Sequence, residues 1–158
     1  MKLAPLHSRF IEELSKDLND WKFIAGNRQF RKKRPDQNFF VHVAFINHLN
    51  DFDATIDVAV EFVAGKERVC IVGAELGNIE GVGQVRHTVS SEQSAVSAAR
   101  EAIAHLKKVG FPFFERYGNP HNVTAALKAG GEVARLISPL TQSHSQQITA
   151  LERVINAG

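Results

Sequence analysis

Two stretches, Phe39 to Asn47 and Thr55 to Val63, alternate so strictly that a pair of strands with one buried face accounts for both. Strand side chains project to opposite sides with period two. In the first stretch Phe39, Val41, Val43 and Phe45 share one face, and Phe40, His42, Ala44, Ile46 and His48 the other. In the second, Ile56, Val58, Val60 and Phe62 are the apolar set, and Thr55, Asp57, Ala59, Glu61 and Val63 the mixed one. Facing residues of antiparallel neighbours point the same way, so odd positions of one stretch must oppose even positions of the other. Pairing His48 with Thr55 meets that condition and leaves Leu49 to Ala54 as a polar connection. It also sets His42 opposite Glu61 and Ile46 opposite Asp57.

A third strand, Arg68 to Gly73, is expected after the turn Ala64-Gly65-Lys66-Glu67, with Val63 opposite Arg68 and Glu61 opposite Cys70. Gln29 to Lys33 reads as a short strand joined to the first strong one through Arg34-Pro35-Asp36-Gln37, and Gln84 to Val89 as a last strand. Helices bracket this meander. Leu6, Phe10, Ile11, Leu14 and Leu18 recur at three- and four-residue steps behind Pro5, predicting an opening helix to about Asn19. Ser90 or Ser91 caps a long helix with the stripe Val96, Ala99, Ile103 and Leu106, which Gly110 is expected to end. Phe111-Pro112-Phe113-Phe114 is too short and proline-interrupted for a further helix of that kind. Asn119-Pro120 opens a helix to Lys128, stopped by Gly130-Gly131, and a final one begins near Ser143.

The expected fold is therefore α+β: an antiparallel meander sheet of four to five strands with one N-terminal helix and about three C-terminal helices. A chain of 158 residues, 44% hydrophobic and 23% charged, fits one domain, residues 1–158, that buries roughly two thirds of its unfolded surface. The longest apolar runs are strand-sized, so no membrane span is expected. Met1 to Arg9 has no signal-peptide centre, and the single cysteine suits a reducing compartment, which points to the cytoplasm. A net charge of +2 is too mild to argue for nucleic acid.

The nearest thing to a constructed site is the mixed face, where His42, Asp57, Glu61 and Cys70 fall together in the expected register. Histidine beside a carboxylate is acid/base equipment. A satisfied cross-strand contact is the plainer reading, because Phe40, Ala44, Ile46, Ala59, Val63 and Val72 make that face too apolar to be fully wet. No H-x-E, H-x-x-H or C-x-x-C spacing supports a metal, and none is expected. Arg31-Lys32-Lys33-Arg34 is the densest charge run, suited to an anionic ligand or an acidic partner, or to guarding a sheet edge. Strand geometry splits it between two faces. Phe113 and Phe114 are candidates for an aromatic partner-binding knob, or else fold back into the core. Gly77-Asn78-Ile79-Glu80-Gly81-Val82-Gly83 lacks a phosphate-binding pattern and reads as a mobile connection. Ser143-His144-Ser145 sits at a polar helix start with no serine-hydrolase elbow around it, and His144 reads as solvated.

An opening helix, the basic stretch Phe30-Arg31-Lys32-Lys33 leading into Asn38-Phe39-Phe40-Val41-His42-Val43, and Gly110-Phe111-Pro112-Phe113-Phe114-Glu115 after a long helix together resemble a bacterial family of small domains of unknown function. The likeness spans about residues 10 to 130 in element order. The glycine-aromatic pair usual before the basic segment is replaced by Gly26-Asn27-Arg28-Gln29-Phe30. The resemblance implies a stand-alone accessory domain of the immunity or partner-neutralising sort, and it carries over no catalytic residue.

The chain is thus expected to be a binding or interaction protein without catalytic activity or cofactor. It would pair with itself or another protein through the mixed face or the Phe113–Phe114 region. The alternative is a small-molecule-binding or hydrolytic enzyme that uses His42 as acid/base, oriented by Glu61 or Asp57.

Overall fold

One face of a twisted antiparallel sheet collects the apolar parity of every long strand, and helices close over it. The computed structural model describes residues 2–157. In chain order it contains α1 (Ala4–Ser15), β1 (Lys22–Ile24), β2 (Gln29–Arg34), β3 (Gln37–Asn47), β4 (Phe52–Ala64), β5 (Glu67–Glu75), α2 (Leu76–Glu80), β6 (His87–Val89), α3 (Glu92–His105), α4 (Phe111–Tyr117), α5 (Pro120–Ala129), α6 (Gly131–Ile137) and α7 (His144–Ala157). The sheet runs β1-β2-β3-β4-β5, and the short β6 pairs with the start of β4. This is the expected α+β antiparallel sheet, widened to six strands by β1; the expected last strand, Gln84 to Val89, is shortened to His87–Val89 and returns to pair with β4.

Parity holds across the central pair. Val41 faces Val58, Val43 faces Ile56 and Phe39 faces Val60, all nearly inaccessible, so the two apolar sets share the interior. The register differs from expectation by four residues: His42 lies opposite Asp57, and Glu61 opposite Asn38. The cause is Phe52, which the expected connection would leave in water. It is fully buried against His7, Phe10 and Phe45, and burying a phenylalanine stabilises by about 2 kcal/mol. The connection shrinks to His48–Asp51, closed by the His48 amide donating to the Asp51 carbonyl at 2.8 Å.

A second correction comes from a bulge between Phe62 and Val63. Val63 faces Arg68 as expected, but Val69 is passed over and Cys70 faces Phe62. One unpaired residue reverses the parity beyond it. Cys70 and Val72 therefore belong to the core, and Ile71 takes the place opposite Glu61.

Leu6, Phe10 and Leu14 of α1 are buried beside α3, with Phe10 on Phe45 and Phe52 of the β3–β4 hairpin, and the α3 stripe of Ala95, Ala98, Ala99 and Ala102 lets that helix approach α1 and β6 closely. Gly110 does not end this helix. The turn Leu106–Gly110 widens to a π turn, with the Phe111 amide donating to Leu106, and helix resumes as α4. The widened turn accommodates Pro112, whose ring in a regular helix collides with the carbonyl four residues back. Nor is Gly77–Gly83 a mobile connection. The buried Glu75 carboxylate accepts from the amides of Gly77 at 2.9 Å, Asn78 at 3.0 Å and Val85 at 3.2 Å, which caps α2 and ties down the loop behind it. After α4, the helices α5, α6 and α7 pack on one another, and α6 and α7 lie against β5, the outermost strand on that side.

Candidate functional site on the open sheet face

The mixed parity of β1 to β5 forms a face that the helices α1, α3 and α4 do not cover. The pairing sets its side chains in rows that cross the sheet. One row is Lys22, Arg31, Phe40, Ala59 and Gly73; the next is Ile24, Gln29, His42, Asp57 and Glu75; the third is Lys33, Asn38, Glu61 and Ile71. Arg31, Phe40, His42, Ala44, Ile46, Asp57, Ala59, Val63 and Ile71 are all half-buried, intermediate between core and solvent.

His42 and Asp57 are brought together. Nδ1 and Oδ2 stand 3.6 Å apart, too long for a hydrogen bond, and the side chains keep 39% and 42% of their surface. Glu61 stands apart from them, two rows along the sheet, accepting from Asn38 Nδ2 at 3.0 Å and Arg68 Nε at 2.8 Å. Cys70 is on the other side of the sheet, where burial pushes its thiol up to about 11 and leaves it an inert apolar group. His42 and Asp57 thus meet, and neither Glu61 nor Cys70 joins them.

The basic run is split as strand geometry requires. Arg31 and Lys33 point to the open face. Lys32 and Arg34 point to the helix side, where Lys32 Nζ donates to Asp20 at 2.9 Å and the Arg34 guanidinium sits 5.3 Å from the Phe39 ring centre. That ion pair holds the Asp20 carboxyl below the usual carboxylate range. With Trp21 and Phe111 they line a cleft of about 310 Å³ that also carries Asp17 and Glu115, so its charge is mixed. Phe113 and Phe114 are 3% and 4% exposed and offer no surface knob; Phe114 stacks on Phe39 with ring centres 4.7 Å apart.

The larger hollow lies at the β4–β5 end of the open face. It encloses about 630 Å³, with Asp57, Ala59 and Gly73 among its lining and Leu136, Leu140 and Gln147 across from them. Gly73 keeps its floor low, since a Cβ there would strike the Val58 carbonyl oxygen. Sequence reasoning missed this hollow, because α6 begins at the second of two glycines, Gly130 and Gly131, that read as a stop. His144 is not simply solvated: its Nε2 lies 2.7 Å from the Ser138 carbonyl and pins the hollow's outer wall. His105 is likewise drawn in, 2.8 Å from a Glu80 carboxylate that Lys108 also reaches. Those two partners hold the Glu80 carboxyl below its ordinary value.

Among the described residues no group of three or more His, Cys, Asp or Glu is placed to hold a metal ion, and no helix is long and apolar enough to cross a membrane. No protein-family model, curated protein or solved structure matches this chain.

Proposed function

We propose that this protein is a cytoplasmic binding protein without catalytic activity, acting through the open sheet face on a protein partner in the manner of an accessory or immunity domain. One observation carries the reading. A row of half-exposed apolar side chains, Phe40, Ala44 and Ile46, runs along β3 between a flank bearing Arg31 and Lys33 and a flank bearing Asp57 and Glu61. An apolar strip edged by opposite charges suits a protein surface, in which burial supplies affinity and the flanks fix orientation. His42 and Asp57 serve there as polar contacts within the strip.

A second reading rests on Asp57, which lines the 630 Å³ hollow while pairing with His42. It makes the hollow a small-molecule or hydrolytic site with His42 as acid/base. A thermal-shift screen of metabolites against the wild type and His42→Ala separates the two. The binding-protein reading expects both chains to melt alike, within about 0.5 kcal/mol for a surface substitution, and no compound to stabilise only the wild type. A metabolite that raises the wild-type melting temperature and not that of His42→Ala contradicts it.

A further inference from the structure

On the helix side of the sheet, two hollows share the walls Arg34, Phe39, Phe114 and Glu115 and so form one trough between the end of β2 and α4. The first lobe encloses about 310 Å³ and the second about 490 Å³. Their chemistry differs. Trp21 and Phe111, both half-buried, stand only in the first lobe, whereas Pro35, Gln37, Gly118 and Asn119 stand only in the second.

Five charged side chains line the first lobe: Asp17, Asp20, Lys32, Arg34 and Glu115. Asp20 is paired with Lys32 at 2.9 Å, and Asp17 with Lys107 at 3.1 Å. One charge of each sign is left over. Among the described residues neither Arg34 nor Glu115 has an ion-pair or side-chain hydrogen-bond partner, and they do not pair with each other although both line both lobes. The Arg34 guanidinium is nonetheless oriented, because it lies over the Phe39 ring, 5.3 Å from its centre, and such stacking leaves the in-plane donors free.

We infer that this trough binds a free aromatic α-amino acid, with the carboxylate on Arg34, the ammonium on Glu115 and the ring in the first lobe against Trp21 and Phe111. A purely anionic ligand would face an unpaired Glu115, and a purely cationic one an unpaired Arg34; a zwitterion satisfies both. A residue within a peptide or at one of its ends keeps at most one of the two charges, so the free amino acid is the better match. Size agrees, since the first lobe lies at the low end of the roughly 300–1,000 Å³ of small-molecule sites. The site is on the opposite side of the sheet from His42 and stands or falls apart from the open face.

Trp21 is the chain's single tryptophan, so its emission, excited where phenylalanine does not absorb, reports on the first lobe. Titrating the full chain with L-phenylalanine should give a saturable change with a dissociation constant of about 1 mM or tighter, the range open to about a dozen heavy atoms. Removing a charge from either side should weaken binding about tenfold, as for the loss of one charge-assisted contact. On the ligand side the probes are phenylalanine amide and N-acetylphenylalanine; on the protein side they are Arg34→Gln and Glu115→Gln, both at exposed positions. Matched losses should not add: phenylalanine amide should bind Arg34→Gln as it binds the wild type, and N-acetylphenylalanine should do the same with Glu115→Gln. The inference is overturned by the absence of a saturable response to phenylalanine, by an analogue that binds the wild type as tightly as the amino acid, or by a variant that weakens every probe equally. The analogue series on the wild type decides the matter even if a variant fails to fold. Phenylalanine should raise the melting temperature of the wild type and His42→Ala alike, so its binding or failure to bind leaves the protein-partner reading to its own test.

Discussion

His87 is buried, 7% exposed, at the seam between β6 and α3, and its Nδ1 lies 3.8 Å from the carboxylate of Glu101. Burial lowers its pKa from the ordinary 6.5, and the nearby His105 pushes the same way; Glu101 and the more distant Glu75 oppose them. Glu101 outweighs His105 but does not overcome burial, because its side chain is 75% exposed and its field is screened. A base with a lowered folded pKa binds fewer protons than the unfolded chain in the interval between the two values. Its contribution is therefore full above the unfolded pKa and falls as pH descends from there to the folded one. The melting temperature should drop between pH 7 and 5, and His87→Gln should shrink that drop; an unchanged drop would contradict the assignment. The window is clean of Glu13, Asp20 and Glu80, whose carboxyls are held below their ordinary values and begin to lose their contribution only at lower pH.

At the scale of elements, the joint between α3 and α4 is where packing overrides local preference. A Cβ at Gly110 would stand 2.5 Å from Leu106 Cδ1 and 3.3 Å from Val58 Cγ1 of β4, so the glycine is a contact surface and not a helix stop. Gly110→Ala should cost about 1–3 kcal/mol by overpacking, despite alanine's better helix propensity. A chemical denaturation curve checks it, and a stabilised variant would mean that the π turn is not pressed against the sheet. The same joint illustrates which features the sequence carried. Period-two alternation identified β3 and β4 and the side each residue faces, because parity is a local property. Register is not local: a shift of four residues preserves every parity relation, and only the burial of Phe52 decides it. The bulge at Val69 was invisible for the same reason, since nothing near Cys70 announces an unpaired residue. Hence His42 found Asp57 instead of Glu61, and Cys70 left the site altogether. The run Arg31 to Arg34 divided between the faces as alternation demands, while Phe113 and Phe114 went inward on a helix that Pro112 had seemed to forbid.

For the whole molecule, the layering explains why one sheet face is free. The helices α1, α3 and α4 spend their apolar stripes on the core face, and α6 and α7 are engaged at β5, which leaves Phe40, Ala44 and Ile46 half-exposed without a cover of their own. Apolar groups on a strand face stabilise whatever packs on them, and here nothing within the chain does so completely. Phe40 is the point at which this can be tested most directly, because it lies on the row that carries Arg31 and at the centre of the strip. The folding free energy of Phe40→Gln, measured by chemical denaturation beside that of the wild type, reads this. If the face is a binding surface free of the core, folding stability falls by less than about 1 kcal/mol, as for a partly exposed strand position. A variant that loses several kcal/mol of stability would show that Phe40 belongs to the core and that the binding surface lies elsewhere.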